Sequence, residues 1–218
     1  GYVYDNLNNL TALVEAINGT ARTTNYTYDA DRRVSSISTN GICENYTYDS
    51  YGRVYQKITK NGNTTVLTET YTYKTSASGK PTNQVATIRS TSAGWDVIYY
   101  YSYDSNGNIT YFGNDSQSNT YGYDSANQLI RENDQLAGVT WTYTYDDAGN
   151  LRTKQLYPYS EGSLGSLVRT YTLDYNDSDL GDLQTHWCGE AFSTDAIGNL
   201  TYDGDIYYTW EHGRELTR

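Results

Sequence analysis

The chain is poor in several residues that usually organise a fold. In 218 residues it has two cysteines, two prolines, two histidines, two phenylalanines and no methionine. Two thiols, Cys43 and Cys188, cannot form a disulfide framework; they either pair with each other or stay reduced as small buried apolar groups. Two prolines beside 19 glycines exclude collagen-like and proline-rich sequence. No apolar run approaches the roughly 18–20 residues of a membrane-spanning helix. The opening Gly1-Tyr2-Val3-Tyr4-Asp5 lacks the basic and apolar segments of a signal peptide and begins in strand-like sequence, as an excised or processed piece would. Basic residues number 15 against 26 acidic ones. The net charge of −11 disfavours nucleic-acid backbones, which need clustered Lys and Arg.

What the chain has instead is tyrosine: 26 of them, against four tryptophans and two phenylalanines. With 37% hydrophobic residues and a mean hydropathy of −0.75, aliphatic side chains alone make a thin core. Tyrosine rings must supply much of the packing while their hydroxyls find partners.

The tyrosines recur in a pattern. Tyr-x-Tyr-Asp is followed by two variable residues, Gly or Asn, a polar residue and an aliphatic one. Clear copies are Tyr46, Tyr48, Asp49, Gly52, Arg53, Val54; then Tyr101, Tyr103, Asp104, Gly107, Asn108, Ile109; then Tyr143, Tyr145, Asp146, Gly149, Asn150, Leu151. Looser copies begin at Tyr2, at Tyr26 (with Tyr28 and Asp29) and at Tyr121 (with Tyr123 and Asp124). There Asn8, Arg32 and Asn127 stand where glycine stood. Degenerate copies begin at Tyr71, with Lys74 in the acid position, at Tyr171, at Phe192 (with Asp195, Gly198, Asn199 and Leu200) and at Tyr208. Self-similarity of this kind marks a repeat architecture.

Each copy reads as a β-hairpin. Two tyrosines two residues apart share one face of a strand. The aspartate starts the following turn by accepting from backbone N–H groups two residues on. Gly or Asn takes the positive φ that the tight turn needs. Second turn signals, Asn18-Gly19, Asn40-Gly41 and Asn61-Gly62, join unit to unit. Leu7, Leu10, Leu13, Val14 and Ile17 also fit a helical stripe, but the matching positions of other units are β-branched or polar, so a strand is predicted. The expectation is an all-β chain of about twenty strands in one continuous array of ten hairpins spanning residues 1–218. Segments 75–81 and 158–165 form extended hairpin tips.

The repeated Tyr-x-Tyr-Asp-x-x-Gly-Arg/Asn-aliphatic unit resembles the YD repeat of the rearrangement-hotspot (RHS) family. That family includes bacterial RHS toxins, the BC components of ABC toxins, wall-associated proteins and teneurins. The tail from Asp195 to Leu216 resembles the run leading into the RHS-associated core. The resemblance implies repeated antiparallel hairpins forming a curved, spiralling sheet, here an open section of a shell that encloses a C-terminal passenger or toxin domain. Its implied partners are the remaining YD repeats and that passenger, with the parent secreted or at the cell surface. No Asp-Pro pair exists, so the family's autoprotease activity does not carry over.

The chemistry expected is structural. His186 and His212 lie in no metal-ligand spacing, and neither a phosphate-binding Gly-x-x-x-x-Gly-Lys run nor a Gly-x-Ser-x-Gly elbow occurs. A Cys43–His186 dyad lacks local support. Asp174-x-Asn176-x-Ser178, in an acidic loop with Asp177, Asp179 and Asp182, begins like a calcium loop but puts Asp179 where glycine is needed and Thr185 where the bidentate glutamate belongs. No cofactor and no metal are expected, and the chain reads as non-enzymatic. An alternative is a glycan- or receptor-binding adhesion module, for which Trp95, Trp141 and Trp187, outside the tyrosine slots, are the candidate ligand residues. Trp210 replaces a repeat tyrosine and reads as structural. Exposed edge strands predict self-association that grows with concentration.

Overall fold

The computed structural model describes residues 1–17, 19–178 and 181–217. Asn18 of the first linking turn and Asp179 of the calcium-loop comparison lie outside them. The described chain is all β, an open antiparallel meander without helix.

It divides into two compact units. The first comprises Gly1–Ser102 and Phe112–Ser116, the second Tyr103–Tyr111 and Gln117–Arg218. In the first, β1 (Tyr2–Tyr4), β2 (Leu10–Ile17), β3 (Thr20–Tyr28), β4 (Val34–Thr39) and β5 (Ile42–Tyr48) pair in chain order. The order continues through β6 (Val54–Asn61), β7 (Thr64–Thr75), β8 (Pro81–Ser92) and β9 (Trp95–Tyr103). The stripe of Leu10, Leu13 and Val14 is therefore strand: β-sheet pairing with β3 from Ala12–Asn25 onward overrides its helical period.

After β10 (Ile109–Gly113), the second unit holds β11 (Ser118–Tyr123), β12 (Leu129–Asp134), β13 (Val139–Tyr145), β14 (Leu151–Pro158) and β15 (Arg169–Asp174). From β11 these also pair in chain order. The order then breaks into short pieces: β16 (His186–Trp187), β17 (Glu190–Ala191), β18 (Ser193–Thr194), β19 (Leu200–Tyr202), β20 (Trp210–Glu211) and β21 (Glu215–Leu216). The two-residue and three-residue strands pair as β16–β17, β18–β19 and β20–β21.

A single layer of sheet cannot bury much, and the burial pattern says so. Among the described residues Leu173 is the one buried hydrophobic side chain, and Thr140 is the one fully buried side chain of any kind. Apolar burial is spread instead over half-buried tyrosines and aliphatic residues along both units. Both cysteines are free, Cys43 half-buried and Cys188 exposed. Cys188 departs from the buried expectation because it sits at positive φ (51°) in the β16–β17 turn.

Candidate functional site

The recurring site is the turn that follows each tyrosine pair, and its geometry repeats atom for atom. In the copy at Asp49, Oδ1 accepts from the N–H groups of Tyr51 (2.9 Å) and Arg53 (3.0 Å). The Asp49 N–H donates to the Arg53 carbonyl, and the Gly52 N–H donates back to the Asp49 carbonyl. Oδ2 is left over, and Arg53 takes it with Nε (2.8 Å) and Nη2 (2.6 Å). The same bonds form at Asp29 with Arg33. At Asp5, Asp104, Asp146 and Asp195 the asparagine four residues on replaces arginine, donating Nδ2 to Oδ2. Asp124 makes the backbone part of the same set, to Ala126 and Gln128.

At Asp5, Asp29, Asp49, Asp104, Asp146 and Asp195 these bonds hold the turn carboxyl below its ordinary range. At Asp5 and Asp104 the side-chain amides of Asn9 and Asn108 are the main cause; at Asp146 it is the backbone N–H of Asn150. At Asp29, Asp49 and Asp195 desolvation pushes upward first, and the bonds from the residue four positions on outweigh it. The turn also needs positive φ at its fourth residue. Gly52, Gly107, Gly149 and Gly198 supply it, and Asn8, Arg32 and Asn127 adopt it at 63–64°.

One expected position is corrected. Lys74 does not occupy the acid slot of the Tyr71 copy. β7 runs two residues longer, and Ser76 takes that slot: its N–H donates to the Lys80 carbonyl, Gly79 closes back onto Ser76, and Ser76 Oγ accepts from the Lys80 N–H (3.1 Å). Asp174 likewise starts no tight turn; its carbonyl accepts from Thr185 across a long loop, and its carboxylate pairs with Arg152 at 3.3 Å.

Successive hairpins are joined by the second tyrosine. The backbone ladder to the preceding hairpin stops at Ala12–Asn25, Ser36–Asn45, Gln56–Thr70 and Arg131–Thr142. Beyond each stop, a phenol crosses to the preceding hairpin. Tyr28 donates to the Leu10 carbonyl (2.8 Å), Tyr48 to Val34 (2.6 Å) and Tyr73 to Val54 (2.7 Å). Tyr123 donates to Ile109 (2.9 Å) and Tyr145 to Leu129 (2.8 Å). Each acceptor is the aliphatic residue five positions after a turn aspartate, so the two ends of the motif are donor and acceptor of one bond. A register shift at Tyr28, Tyr48, Tyr73, Tyr123 and Tyr145 marks a β-bulge at each copy. Trp210 does the same work with indole: Nε1 donates to the Leu200 carbonyl at 2.6 Å. Where the turn carries arginine, the guanidinium also stacks on the next tyrosine, Arg33 over Tyr48 at 4.4 Å and Arg53 over Tyr73 at 4.2 Å.

The first tyrosines line the same face with a different set of partners. Tyr46 donates to Glu44 (2.6 Å) and Tyr143 to Glu132 (2.8 Å). Burial first and the neighbouring carboxylate second push both phenols above their ordinary range. Tyr26 stands opposite Ile37. Tyr101 packs on Phe112 at 5.1 Å, and Tyr103 closes β9. Tyr121 lies opposite Glu132.

Of the tryptophan candidates, the structure brings two together. Trp141 on β13 and Trp187 on β16 flank Tyr171 on β15, with centroid distances of 6.1 and 5.5 Å. Lys154 Nζ lies 4.1 Å from the Trp141 ring centroid, and the Arg169 guanidinium lies 5.8 Å from that of Tyr171. Trp95 belongs to the other unit, opposite Ser92 where β8 turns into β9, and is 44% exposed. Sequence reasoning missed the contribution of Tyr171, whose place in a degenerate copy hid it. It also missed a polar node on the opposite face, where buried Thr140 donates to Asn133 Oδ1 (3.0 Å) and accepts from the Ser160 N–H (3.0 Å). Arg131 completes that node through Asn133 and the carbonyls of Ser160 and Gly162.

The turns at Asp124 and Asp146, the bridge from Tyr145 and the ring of Trp141 all fall within residues 120–161, which match the RHS Repeat family. That segment is an RHS repeat. Outside it the same turn recurs at Asp5, Asp29, Asp49, Asp104 and Asp195, and the same bridge at Tyr28, Tyr48, Tyr73 and Trp210. No curated protein matches the chain. Among solved structures it is similar to the crystal structure of TcdB2-TccC3-Cdc42, at 18% identity and a TM-score of 0.46, covering 90% of this chain and 13% of that one. It is also similar to the crystal structure of TcdB2-TccC3, at 18% identity and 0.47, covering 84% and 12%. A porin-like protein from Bacteroides uniformis ATCC 8492 is similar at 15% identity and 0.41, covering 78% and 86%. Likeness at these scores carries no argument about what this chain does. The chain spans about an eighth of the length of the TcdB2-TccC3 chains.

Proposed function

We propose that the chain is a structural section of an RHS-type shell, a wall of hairpins that sequesters a passenger domain of a secreted toxin or cell-surface protein. The observation that carries this reading is the fate of the repeated acids. At six of the seven acidic turns both carboxylate oxygens are engaged within the turn itself, and each bridging aromatic spends its donor on the neighbouring hairpin. Residues consumed in holding hairpin to hairpin are those of a wall, and hairpins that are marginal alone gain stability from such neighbours. The ten copies act as one array in this reading, whose edges accept further repeats or, at high concentration, a second copy. Such a wall performs no catalysis.

Limited proteolysis of the protein expressed with whatever its reading frame encodes on either side tests the proposal. A passenger that survives until the repeats are cut supports enclosure; one cut as fast as when expressed alone rejects it. The exposed Trp95 and Trp187 keep an adhesion module as a second reading. A glycan array decides it: saturable binding that Trp95→Ala abolishes favours adhesion over a wall.

A further inference from the structure

The row Trp141, Lys154, Tyr171, Arg169 and Trp187 has a composition unlike the rest of the sheet. Trp141, Lys154 and Tyr171 share one face: Trp141 stands opposite Leu156 and Lys154 opposite Tyr171 in the β14 pairings, with Arg169 opposite Leu156. In a chain of net charge −11, this face carries two cations whose heads lie against aromatic rings. Among the described residues neither Lys154 nor Arg169 has a carboxylate within 4 Å. The acid on the same face of β12, Glu132, is held by the Tyr143 hydroxyl, and Glu190 stands on the outer side of Trp187 across the β16–β17 pair. The matching face of the first unit is neutralised internally, with Lys57 Nζ 2.5 Å from Glu69 and 3.8 Å from Glu44. On that face Lys57 is paired with acids, whereas beside the tryptophans Lys154 and Arg169 are not.

We propose that this row is a docking surface for an acidic polypeptide segment that carries both carboxylates and apolar side chains. Trp, Tyr and Arg are the residue types that concentrate binding energy in protein interfaces, and rigid rings lose little entropy on contact. The rings receive the apolar side chains, and Lys154 and Arg169 receive the carboxylates, Arg169 by a two-pronged bond. Two cations without acidic partners, in a chain otherwise of net charge −11, are complementary to a partner that brings carboxylates. The inference deepens the wall reading by giving one face a partner chemistry, and it stands on this row whether or not a shell closes around it.

The test is titration of the full chain by intrinsic tryptophan fluorescence with three probes: a peptide of alternating glutamate and leucine, its glutamine counterpart, and a uronic-acid oligosaccharide. Saturable quenching by the glutamate peptide, weaker by tenfold or more with the glutamine peptide and at high salt, is expected. K154Q and R169Q should each reduce that affinity at least threefold, and Trp187→Phe should remove most of the signal change. Thermal melts of the variants keep loss of binding apart from loss of fold. No saturable change with the glutamate peptide, or a change indifferent to K154Q and R169Q in folded protein, overturns the proposal. Binding of the oligosaccharide alone overturns it in favour of an acidic glycan. Failure here leaves the proteolysis result on the shell untouched, so the two readings fail separately.

Discussion

The two units use one turn and one bridge to carry different faces. In the first, two of the turns are clamped by Arg33 and Arg53, whose guanidinium groups reach on to Tyr48 and Tyr73. In the second, the clamps at Asp104, Asp146 and Asp195 are asparagines, which reach other partners: Asn108 to Asn127, Asn150 to Asp182 and Asn199 to the Gly213 carbonyl. The first unit has the longest strands, β7 and β8 at 12 residues, and a row of paired charges. The second has a tryptophan row, a buried polar node and a tail of strands two or three residues long. The frame that joins hairpins uses only the aspartate, the second aromatic and the aliphatic carbonyl. Everything else on the strands is released to vary, which is how one repeat builds both a neutralised face and an aromatic one.

The largest effect expected is common to both units and comes from pH. Six of the turn aspartates, Asp5, Asp29, Asp49, Asp104, Asp146 and Asp195, have folded pKa values below the ordinary Asp value of about 3.9. Stability drawn from a depressed carboxyl is present above the unfolded pKa and lost as pH falls through the folded one. The melting temperature should be level from neutral pH down to about 5 and fall steeply below about 4. Tyr46 and Tyr143 work in the opposite sense. Their raised pKa makes their contribution complete below about 10 and lost as pH rises further, so an alkaline limb should coincide with the appearance of phenolate absorbance. Circular dichroism melts across pH check both limbs, and a protein equally stable at pH 3 and pH 7 would refute the turn account.

Next in size is a difference between the units. Thr140→Val keeps the shape of the buried side chain but takes a donor from Asn133 and an acceptor from the Ser160 N–H. It should cost about 1–3 kcal/mol and expose the 159–165 segment to protease. Ser90→Ala, at the most buried polar side chain of the first unit, should cost less and leave 159–165 protected. Smaller again are the bridges. Tyr73→Phe and Tyr145→Phe each remove one phenol bond to a backbone carbonyl and should cost about 0.5–1.5 kcal/mol. Tyr73 also holds the Arg53 guanidinium over its ring, which phenylalanine retains, so the two losses should be similar. Denaturant melts that separate them widely would show that the bridge is not a common device.

Much of this frame was legible because it is local. An aspartate that caps its own turn, a Gly or Asn at positive φ and two tyrosines on one strand face are separated by at most seven residues, and the repeat displays them many times. The all-β class follows from the same spacing. What could not be read is non-local. The acceptor of each phenol lies 14 to 19 residues earlier in chain order, on the preceding hairpin, and nothing in Tyr-x-Tyr names it. Ser76 was hidden because β7 extends two residues past the usual bulge, and a hydroxyl replaces the carboxylate. Trp141 and Trp187 are 46 positions apart, and only the β13–β14–β15–β16 pairings bring both to Tyr171. Thr140 gives no signal at all, since its burial depends on Ser160 folding back from beyond β14.

The smallest effect sharpens the comparison most. Arg32 and Asn127 occupy the same turn position in the two units, both at a φ of 63°. Left-handed backbone costs an ordinary residue about 1–2 kcal/mol, and asparagine less. Arg32→Asn should therefore stabilise the chain by less than about 1 kcal/mol, since the long-range attraction of Arg32 to Asp5 is exposed and weak. The reverse change, Asn127→Arg, should cost more than Arg32→Asn gains. Asn127 Oδ1 accepts from both Asn106 and Asn108 at 2.8 Å, so it ties one turn to the previous one as well as tolerating the backbone. If strain alone set the preference, the two changes would be equal and opposite. A larger loss at Asn127, measured in the same denaturant series, shows that the asparagine clamps of the second unit carry inter-turn bonds that the first unit assigns to arginine.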